Sequence, residues 1–262
     1  MKSFPNPKIN LGLNVLRRRP DGFHDLETLF VPYFGMRDEL EIEALPKAGS
    51  GSKVNIQISG PKVDWNPQKD LTVRAYELLD ADFGLPPVRM RLVKNIPVGA
   101  GLGGGSSDCA FALRMLNEIF SLGLTDDALA GYASRLGSDC AFFVYNNPML
   151  GTGRGEVLEP FGIDLNAWRL KVEVPSGVAV STAEAYRGVL DAKTGDAVRM
   201  PLREALARPV EQWRDCLVND FEATVFPLHP EIPALKQRLY DEGAVYAAMS
   251  GSGSAVFGLF RI

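Results

Sequence analysis

The segment Pro97-Val98-Gly99-Ala100-Gly101-Leu102-Gly103-Gly104-Gly105-Ser106-Ser107-Asp108 carries five glycines in seven positions. Ordering such a run costs backbone entropy, so it is expected where the chain must come close to something. An alternating stretch precedes it and helical spacing follows it, so its N–H groups converge on a helix N-terminus and form a ready anion site. The plainer reading is a flexible loop or a close helix packing contact.

Two more segments are weighed with it. Gly137-Ser138-Asp139 places an acid at the border of the apolar run Cys140-Ala141-Phe142-Phe143, where it is either an N-cap or a catalytic group. Met249-Ser250-Gly251-Ser252-Gly253-Ser254-Ala255 is a small-residue turn: alone a tight hairpin, beside a phosphate loop one wall of a site. Lys8, taken by itself, reads as a solvated strand-end lysine.

Three familiar loops fail against the glycine run. Gly99, Gly101 and Gly104 spell G-x-G-x-x-G, but a dinucleotide fold wants that motif after a buried parallel strand and before a helix and a second strand. Here the preceding strand carries Arg89 and Arg91 in alternation, and the next element is another helix. A Rossmann oxidoreductase is thereby disfavoured. No Lys-Ser or Lys-Thr follows the glycines, which removes the P-loop, and no H-R-D or D-F-G is present, which removes the protein-kinase loop.

The elements that must position these residues follow from periodicity. Residues 8–16 alternate as a half-buried strand, 17–22 form a charged turn, and 23–34 are extended. Residues 38–44 and 53–59 alternate cleanly around a Gly/Ser tip at 49–52, a hairpin signal. The spacing predicts a helix over 70–82 with Leu71, Ala75, Leu78 and Leu79 on one face, a strand over 88–93, and helices over 106–120 and 125–136. In the second half, strands are expected at 169–174, 244–249 and 255–260, and helices at 182–189, 202–207, 219–225 and 232–242. The order reads as α+β with antiparallel sheets. Gly and Pro content places a boundary near 151–160.

The chain has 262 residues, 46% of them hydrophobic and 23% charged, an ordinary globular composition. A formal net charge of −4 argues against a general nucleic-acid binder. The three cysteines form no CxxC pair and are expected to be small buried hydrophobes in a reducing cytoplasm. Two histidines far apart make a zinc site improbable. Residues 1–8 show no apolar signal-peptide core, and no stretch approaches a membrane span.

Three segments in this order resemble the three motifs of the GHMP kinase superfamily: Pro7-Lys8-Ile9-Asn10-Leu11, the glycine run as P-x-G-x-G-L-G-G-G-S-S, and the turn over 250–255. The second is highly specific. The resemblance extends through Arg19-Pro20-Asp21-Gly22-Phe23-His24 and Leu136-Gly137-Ser138-Asp139 to nearly the whole chain, and is weakest over 193–213. It implies an α+β GHMP kinase fold, with a ribosomal-S5-domain-2-like, nucleotide-binding N-terminal domain over 1–155 and a ferredoxin-like C-terminal domain over 156–262. It also implies transfer of the γ-phosphoryl of ATP, with Mg²⁺, to the 2-hydroxyl of 4-diphosphocytidyl-2-C-methyl-D-erythritol, a step of non-mevalonate isoprenoid synthesis. A cytoplasmic monomer or homodimer without nucleic-acid or membrane partners goes with it. The alternative within the superfamily is a homoserine or mevalonate type. A silent nucleotide-binding protein is disfavoured by the presence of both Lys8 and Asp139.

By position, the resemblance gives Asp139 the role of general base and Lys8 that of its charged partner. Pro97, Val98, Gly99, Ala100, Gly101, Leu102, Gly103, Gly104, Gly105, Ser106 and Ser107 would hold the nucleotide phosphates, with Lys94 and Asp108 on the adenosine side. Ser107 would help orient Mg²⁺; no set of side-chain metal ligands is implied. Asn10 would contact the acceptor, His24 would hydrogen-bond the cytosine edge, Phe23 and Tyr186 would stack on it, and Thr182 would line the pocket. The family usually has Tyr at the Phe23 position, Asn at Asp70, and Val/Ile-Pro after Asp139. It usually continues with a helix and a strand beyond the third motif, where this chain ends at Ile262.

Overall fold

The computed structural model describes residues 1–46, 52–61, 63–192 and 200–262. In chain order it contains β1 (Lys2–Ser3), β2 (Lys8–Arg18), β3 (His24–Pro32), β4 (Glu39–Ala44), β5 (Val54–Ser59), α1 (Leu71–Phe83), β6 (Val88–Val93), α2 (Gly104–Ile119), α3 (Asp126–Ser134), α4 (Cys140–Tyr145), β7 (Met149–Thr152), β8 (Val157–Pro160), β9 (Trp168–Glu173), α5 (Thr182–Tyr186), α6 (Leu202–Leu206), α7 (Trp213–Cys216), α8 (Glu222–Val225), α9 (Glu231–Asp241), β10 (Tyr246–Met249) and β11 (Val256–Arg261). They divide into two compact units stitched from alternating segments: 1–7, 36–98 and 103–147 in one, 8–35, 99–102 and 148–262 in the other.

The first unit holds a four-stranded sheet in the order β1-β4-β6-β5, with α1 to α4. In β6, Val88, Met90 and Leu92 are buried while Arg89 and Arg91 face out, the period of a sheet with one wet face. Leu40 and Ile42 of β4 continue the apolar face. The hairpin expected between β4 and β5 does not form: β6 lies between them, antiparallel to β4 and parallel to β5. A parallel pair needs a crossover, and α1 supplies it, making β5-α1-β6 a βαβ unit. Of the Gly/Ser tip that suggested the hairpin, 49–51 lie outside the described residues. Helix α1 starts at an Asp70 cap that accepts from Thr72 N and ends at Gly84 in the left-handed conformation. Its buried face is Thr72, Val73, Ala75, Tyr76 and Leu79; Leu71 and Leu78 are only half-buried. Helix α3 starts at Thr125, whose hydroxyl accepts from Ala128 N, with Asp126 and Asp127 in the favoured first turn.

The second unit holds two antiparallel sheets, β2-β3-β7-β8 and β10-β11-β9. Helix α9 packs on β10 and β11 around a core that includes Ile232, Leu239, Met249 and Val256. The segment over 151–160 falls in the hairpin of β7 and β8, turned by Gly153 and Gly155. Only Glu222–Val225 of the helix expected over 219–225 is helical. Strand β2 also departs from expectation: residues 8–13 are buried on both faces, so its polar positions point into protein rather than solvent. Cys109 and Cys140 are buried as expected, but Cys216 is half-buried, with its thiol donating to Gln212 O at 3.3 Å.

Candidate active site

The buried polar face of β2 is where the site begins. Lys8 is 3% exposed, and its ammonium donates to Asn10 Oδ1 at 2.6 Å and to the Gly101 carbonyl at 3.0 Å. Asn10 passes the chain on, donating to Thr28 Oγ1 at 3.0 Å, and Thr28 donates to Gly12 O at 2.6 Å. A buried ammonium is tolerated only when hydrogen-bonded in this way. Asn10 is itself buried, with its side-chain oxygen turned to Lys8.

Gly101 is where the three sequence motifs meet. Its carbonyl accepts from Lys8 Nζ and, at 3.3 Å, from Ser250 Oγ. Lys8 N donates to Leu102 O, and Ala255 N donates to Ala100 O, both at 3.0 Å. A Cβ at Gly101 would lie 2.2 Å from Ser250 O, and φ is +75°, so glycine is required there twice over. Asn10 Oδ1 lies 3.5 Å from Ser250 Oγ.

On the other side of the loop, Gly103 sits at the N-cap of α2 in the left-handed conformation and no side chain caps the helix. The first-turn N–H groups are thus available to an anion, with the helix dipole behind them. Around Gly99 a Cβ would meet nothing within 4 Å, and around Gly105 only Leu71 Cδ1 at 3.9 Å, so the backbone is open at both points. Pro97, Val98 and Gly99 are exposed and Ser106 is half-buried. Ser107 is buried and donates its hydroxyl to Asn6 O at 2.7 Å. Gly104 is needed for packing, since a Cβ would lie 2.9 Å from Ile96 Cγ2.

Beneath Gly104 lies a buried ionic triad. Lys94 pairs with Asp38 and, at 2.5 Å, with Asp108. Asp38 also accepts from Asn95 N and Ile96 N at 2.5 and 2.7 Å, which fixes the chain as it leaves β6. Asp108 Oδ1 is buried and has no hydrogen-bond partner among the described residues. Burial pushes the Asp108 carboxyl well above the usual carboxylate range, against the pull of Lys94. Burial opposes the charge on Lys94, but Asp108 and Asp38 outweigh it and raise its ammonium above the ordinary lysine range.

Asp139 stands at the N-cap position of α4, half-buried, but in right-handed helical conformation, φ −83° and ψ −10°. Its carboxylate makes no capping hydrogen bond to the helix. Asp70 is engaged elsewhere: it accepts from Thr72 N and Oγ1 at 2.9 and 2.8 Å and from Trp65 Nε1 at 3.0 Å.

The residues assigned to a nucleobase lie in the second unit. His24 stacks on Tyr186 with ring centroids 4.7 Å apart and an interplanar angle of 24°. Tyr186 in turn meets Phe221 edge-on at 4.7 Å. Burial, with Arg18 nearby, lowers the His24 pKa below its ordinary value, so the ring is neutral at pH 7. Phe23 is 55% exposed and lies under the Arg154 guanidinium, 4.9 Å away. Thr182 is exposed at the start of α5, where Ser181 Oγ caps by accepting from Glu184 N. Sequence reasoning missed Asp38, Thr28 and Asn219, whose partners are remote in the chain.

The family model for the GHMP kinases N terminal domain matches residues 70–147, and that for the GHMP kinases C terminal matches 202–261. A 4-diphosphocytidyl-2-C-methyl-D-erythritol kinase of Bacteroides thetaiotaomicron is 47% identical over 261 residues, covering 100% of this chain and 92% of its own. A protein of the same name from Cytophaga hutchinsonii is 42% identical over 261 residues, covering 100% and 93%. A crystal structure of 4-(cytidine 5'-diphospho)-2C-methyl-D-erythritol kinase superimposes with a TM-score of 0.81 at 34% identity, covering 99% of this chain and 90% of that one. The fold is shared with a homoserine kinase from Cytophaga hutchinsonii, at a TM-score of 0.62 and 17% identity over 98% of this chain and 85% of that one.

Proposed function

The chain belongs to the GHMP kinases, and from that membership we propose that it transfers the γ-phosphoryl of ATP to the 2-hydroxyl of 4-diphosphocytidyl-2-C-methyl-D-erythritol. It is an ATP-dependent small-molecule kinase of isoprenoid precursor synthesis. The observation that carries this reading is the Gly101 junction, where Lys8 and the Ser250 turn are tied to the glycine loop.

Phosphoryl transfer asks the protein mainly for positioning and charge stabilisation. The open backbone at Gly105 and the first-turn N–H groups of α2 fit the phosphates of the nucleotide. Lys94 and Asp108 lie beneath the loop and shape its floor on the adenosine side. Asp139 takes the proton of the acceptor hydroxyl, and Lys8 lowers that hydroxyl's pKa and balances charge developing on the transferring phosphoryl. His24 meets the cytosine edge, and Tyr186 and Phe23 offer flat faces for stacking.

Mg²⁺ would be held chiefly by phosphate oxygens, with the Ser107 hydroxyl, which donates to Asn6 O, or that of the half-buried Ser106 helping to orient it. When bound it neutralises phosphate charge. One family match falls in each of the parts 1–155 and 156–262, although the compact units divide the chain differently, with 8–35 and 99–102 joining 148–262. A cytoplasmic enzyme, monomer or homodimer, suits ATP as donor; among the described residues no helix is long and apolar enough to cross a membrane.

ADP release measured with 4-diphosphocytidyl-2-C-methyl-D-erythritol, homoserine and mevalonate in parallel tests the reading, and turnover is expected with the first. No turnover with it at any Mg²⁺ level sinks the proposal. Asp139→Asn is expected to lower kcat by ~10² to 10⁴ while ATP affinity holds; near-normal kcat would remove Asp139 as the base.

A further inference from the structure

We propose that Asn219 is a positioning residue for phosphoryl transfer, acting through the Ser250 turn and through the strand that carries Lys8. The inference rests on the kinase reading above.

Asn219 is 3% exposed, and its side-chain amide is fully committed. Nδ2 donates to Met249 O at 2.8 Å and to Gly251 O at 2.9 Å, while Oδ1 accepts from Phe221 N at 3.0 Å. Two carbonyls on one side and an N–H on the other fix which way the amide points. The two carbonyls flank Ser250, so one side chain grips the turn on both sides of that hydroxyl. Ser250 Oγ then reaches the Gly101 carbonyl, the same oxygen that Lys8 Nζ contacts.

The backbone around Asn219 grips β2 as well. Leu13 pairs with Asn219 as a parallel bridge. Leu13 N donates to Val218 O at 2.8 Å, Asp220 N to Leu13 O at 2.9 Å, and Val15 N to Asp220 Oδ2 at 2.7 Å. The contact falls beside Gly12, where β2 shifts register between Leu11 and Leu13 and φ is +69°. It therefore braces β2 just past the segment that bears Lys8 and Asn10. Asn219 touches neither substrate nor Lys8; it holds the two pieces that meet at Gly101.

Replacing Asn219 by Ala leaves two buried carbonyls and one N–H without their partner, and replacing it by Asp turns a carboxylate toward two carbonyl oxygens. In the full-length protein, Asn219→Ala and Asn219→Asp are expected to lower kcat tenfold or more, with the ATP KM within threefold of wild type. Backbone amides over 99–102 and 249–255 are expected to exchange with deuterium faster. Ser250→Ala is expected to cost less in the Asn219→Ala background than in wild type, because both act on one turn. A kcat within twofold of wild type, or effects that multiply independently with Ser250→Ala, would overturn the proposal.

Should Asn219→Ala fail to fold, Asn219→Ser, which keeps one donor, carries the test. Intermediate kcat and faster exchange over 249–255 support the inference, and unchanged values of both refute it. A wild-type protein without turnover on the cytidyl acceptor counts against the kinase reading instead, and the exchange measurement then decides this one alone.

Discussion

Two glycines of the same loop are required for different reasons, and a methyl group tells them apart. At Gly101 the added Cβ falls 2.2 Å from Ser250 O and 3.1 Å from both Gly253 N and Gly253 O, with φ at +75°. Bringing the first contact out to an ordinary carbon–oxygen separation of ~3.3 Å moves the two segments apart by about 1 Å. The left-handed backbone adds ~1–2 kcal/mol for a residue with a Cβ, and the overpacking adds ~1–3 kcal/mol. Gly101→Ala is thus expected to lose roughly 2–5 kcal/mol, a fall of about 4–20 °C in Tm for a chain of this size. A misplacement of ~1 Å near the reacting groups lowers kcat by on the order of 10². Gly105→Ala is the opposite case. Nothing but Leu71 Cδ1 at 3.9 Å lies near its Cβ, and the residue is helical. Stability is expected to hold or rise by up to ~1 kcal/mol. The methyl instead enters the volume assigned to nucleotide phosphate, and the ATP KM is expected to rise about tenfold, roughly 1.4 kcal/mol of binding. Thermal denaturation and ADP-release kinetics on the two variants decide the matter. Unchanged ATP KM in Gly105→Ala, or unchanged Tm in Gly101→Ala, would refute the assignment of one glycine to protein and the other to ligand.

Three further outcomes are expected. Asp38→Ala strips Asn95 N and Ile96 N of their acceptor and removes one of the two carboxylates from Lys94; breaking such a buried pair costs ~3–5 kcal/mol, visible in urea denaturation, and a loss under 1 kcal/mol would contradict the burial argument. His24 has its pKa lowered by burial and by Arg18, so the folded state binds fewer protons than the unfolded one. Its contribution is then fully present above the ordinary histidine value of ~6.5 and is lost as pH falls below it toward the folded value. The acceptor KM is expected to be flat above pH 7 and to climb only below the ordinary histidine value of ~6.5 as the ring protonates, while the ATP KM does not follow; Tyr186→Leu, which removes the stacking partner, is expected to raise the acceptor KM by roughly 2–13-fold at pH 7. An acceptor KM that stays flat down to pH 5 would detach His24 from the base edge.

Local periodicity located strands and helices well, because alternation and 3.6-residue spacing report which face is buried. It did not report partners. Residues 38–44 and 53–59 alternate as a hairpin would, yet β6 enters between them, since pairing is decided by a crossover through α1 that no local pattern encodes. The polar positions of β2 read as a wet face, although Lys8 and Asn10 face a buried network closed by Thr28. There a local rule fails at the candidate site, as it is expected to where polar groups serve a function. The site residues that stood in motifs were legible by resemblance. Asp38 and Asn219 were not, because each acts on atoms distant in the sequence: Asp38 on Lys94, Asn219 on Met249 and Gly251.

The grip on β2 also sets a clock during synthesis. Val15 and its acceptor Asp220 are 205 positions apart. At ~5–20 residues per second, a ribosome delivers the second partner roughly 10–40 s after the first. Strand β2 can pair with β3 almost at once, but the Leu13 register is locked only when that late segment emerges. Through this interval the nascent chain carries the Lys8 strand, its apolar residues on both faces, without the contact that finishes it. A late-made part of the loop's scaffold is therefore the part that aligns the first.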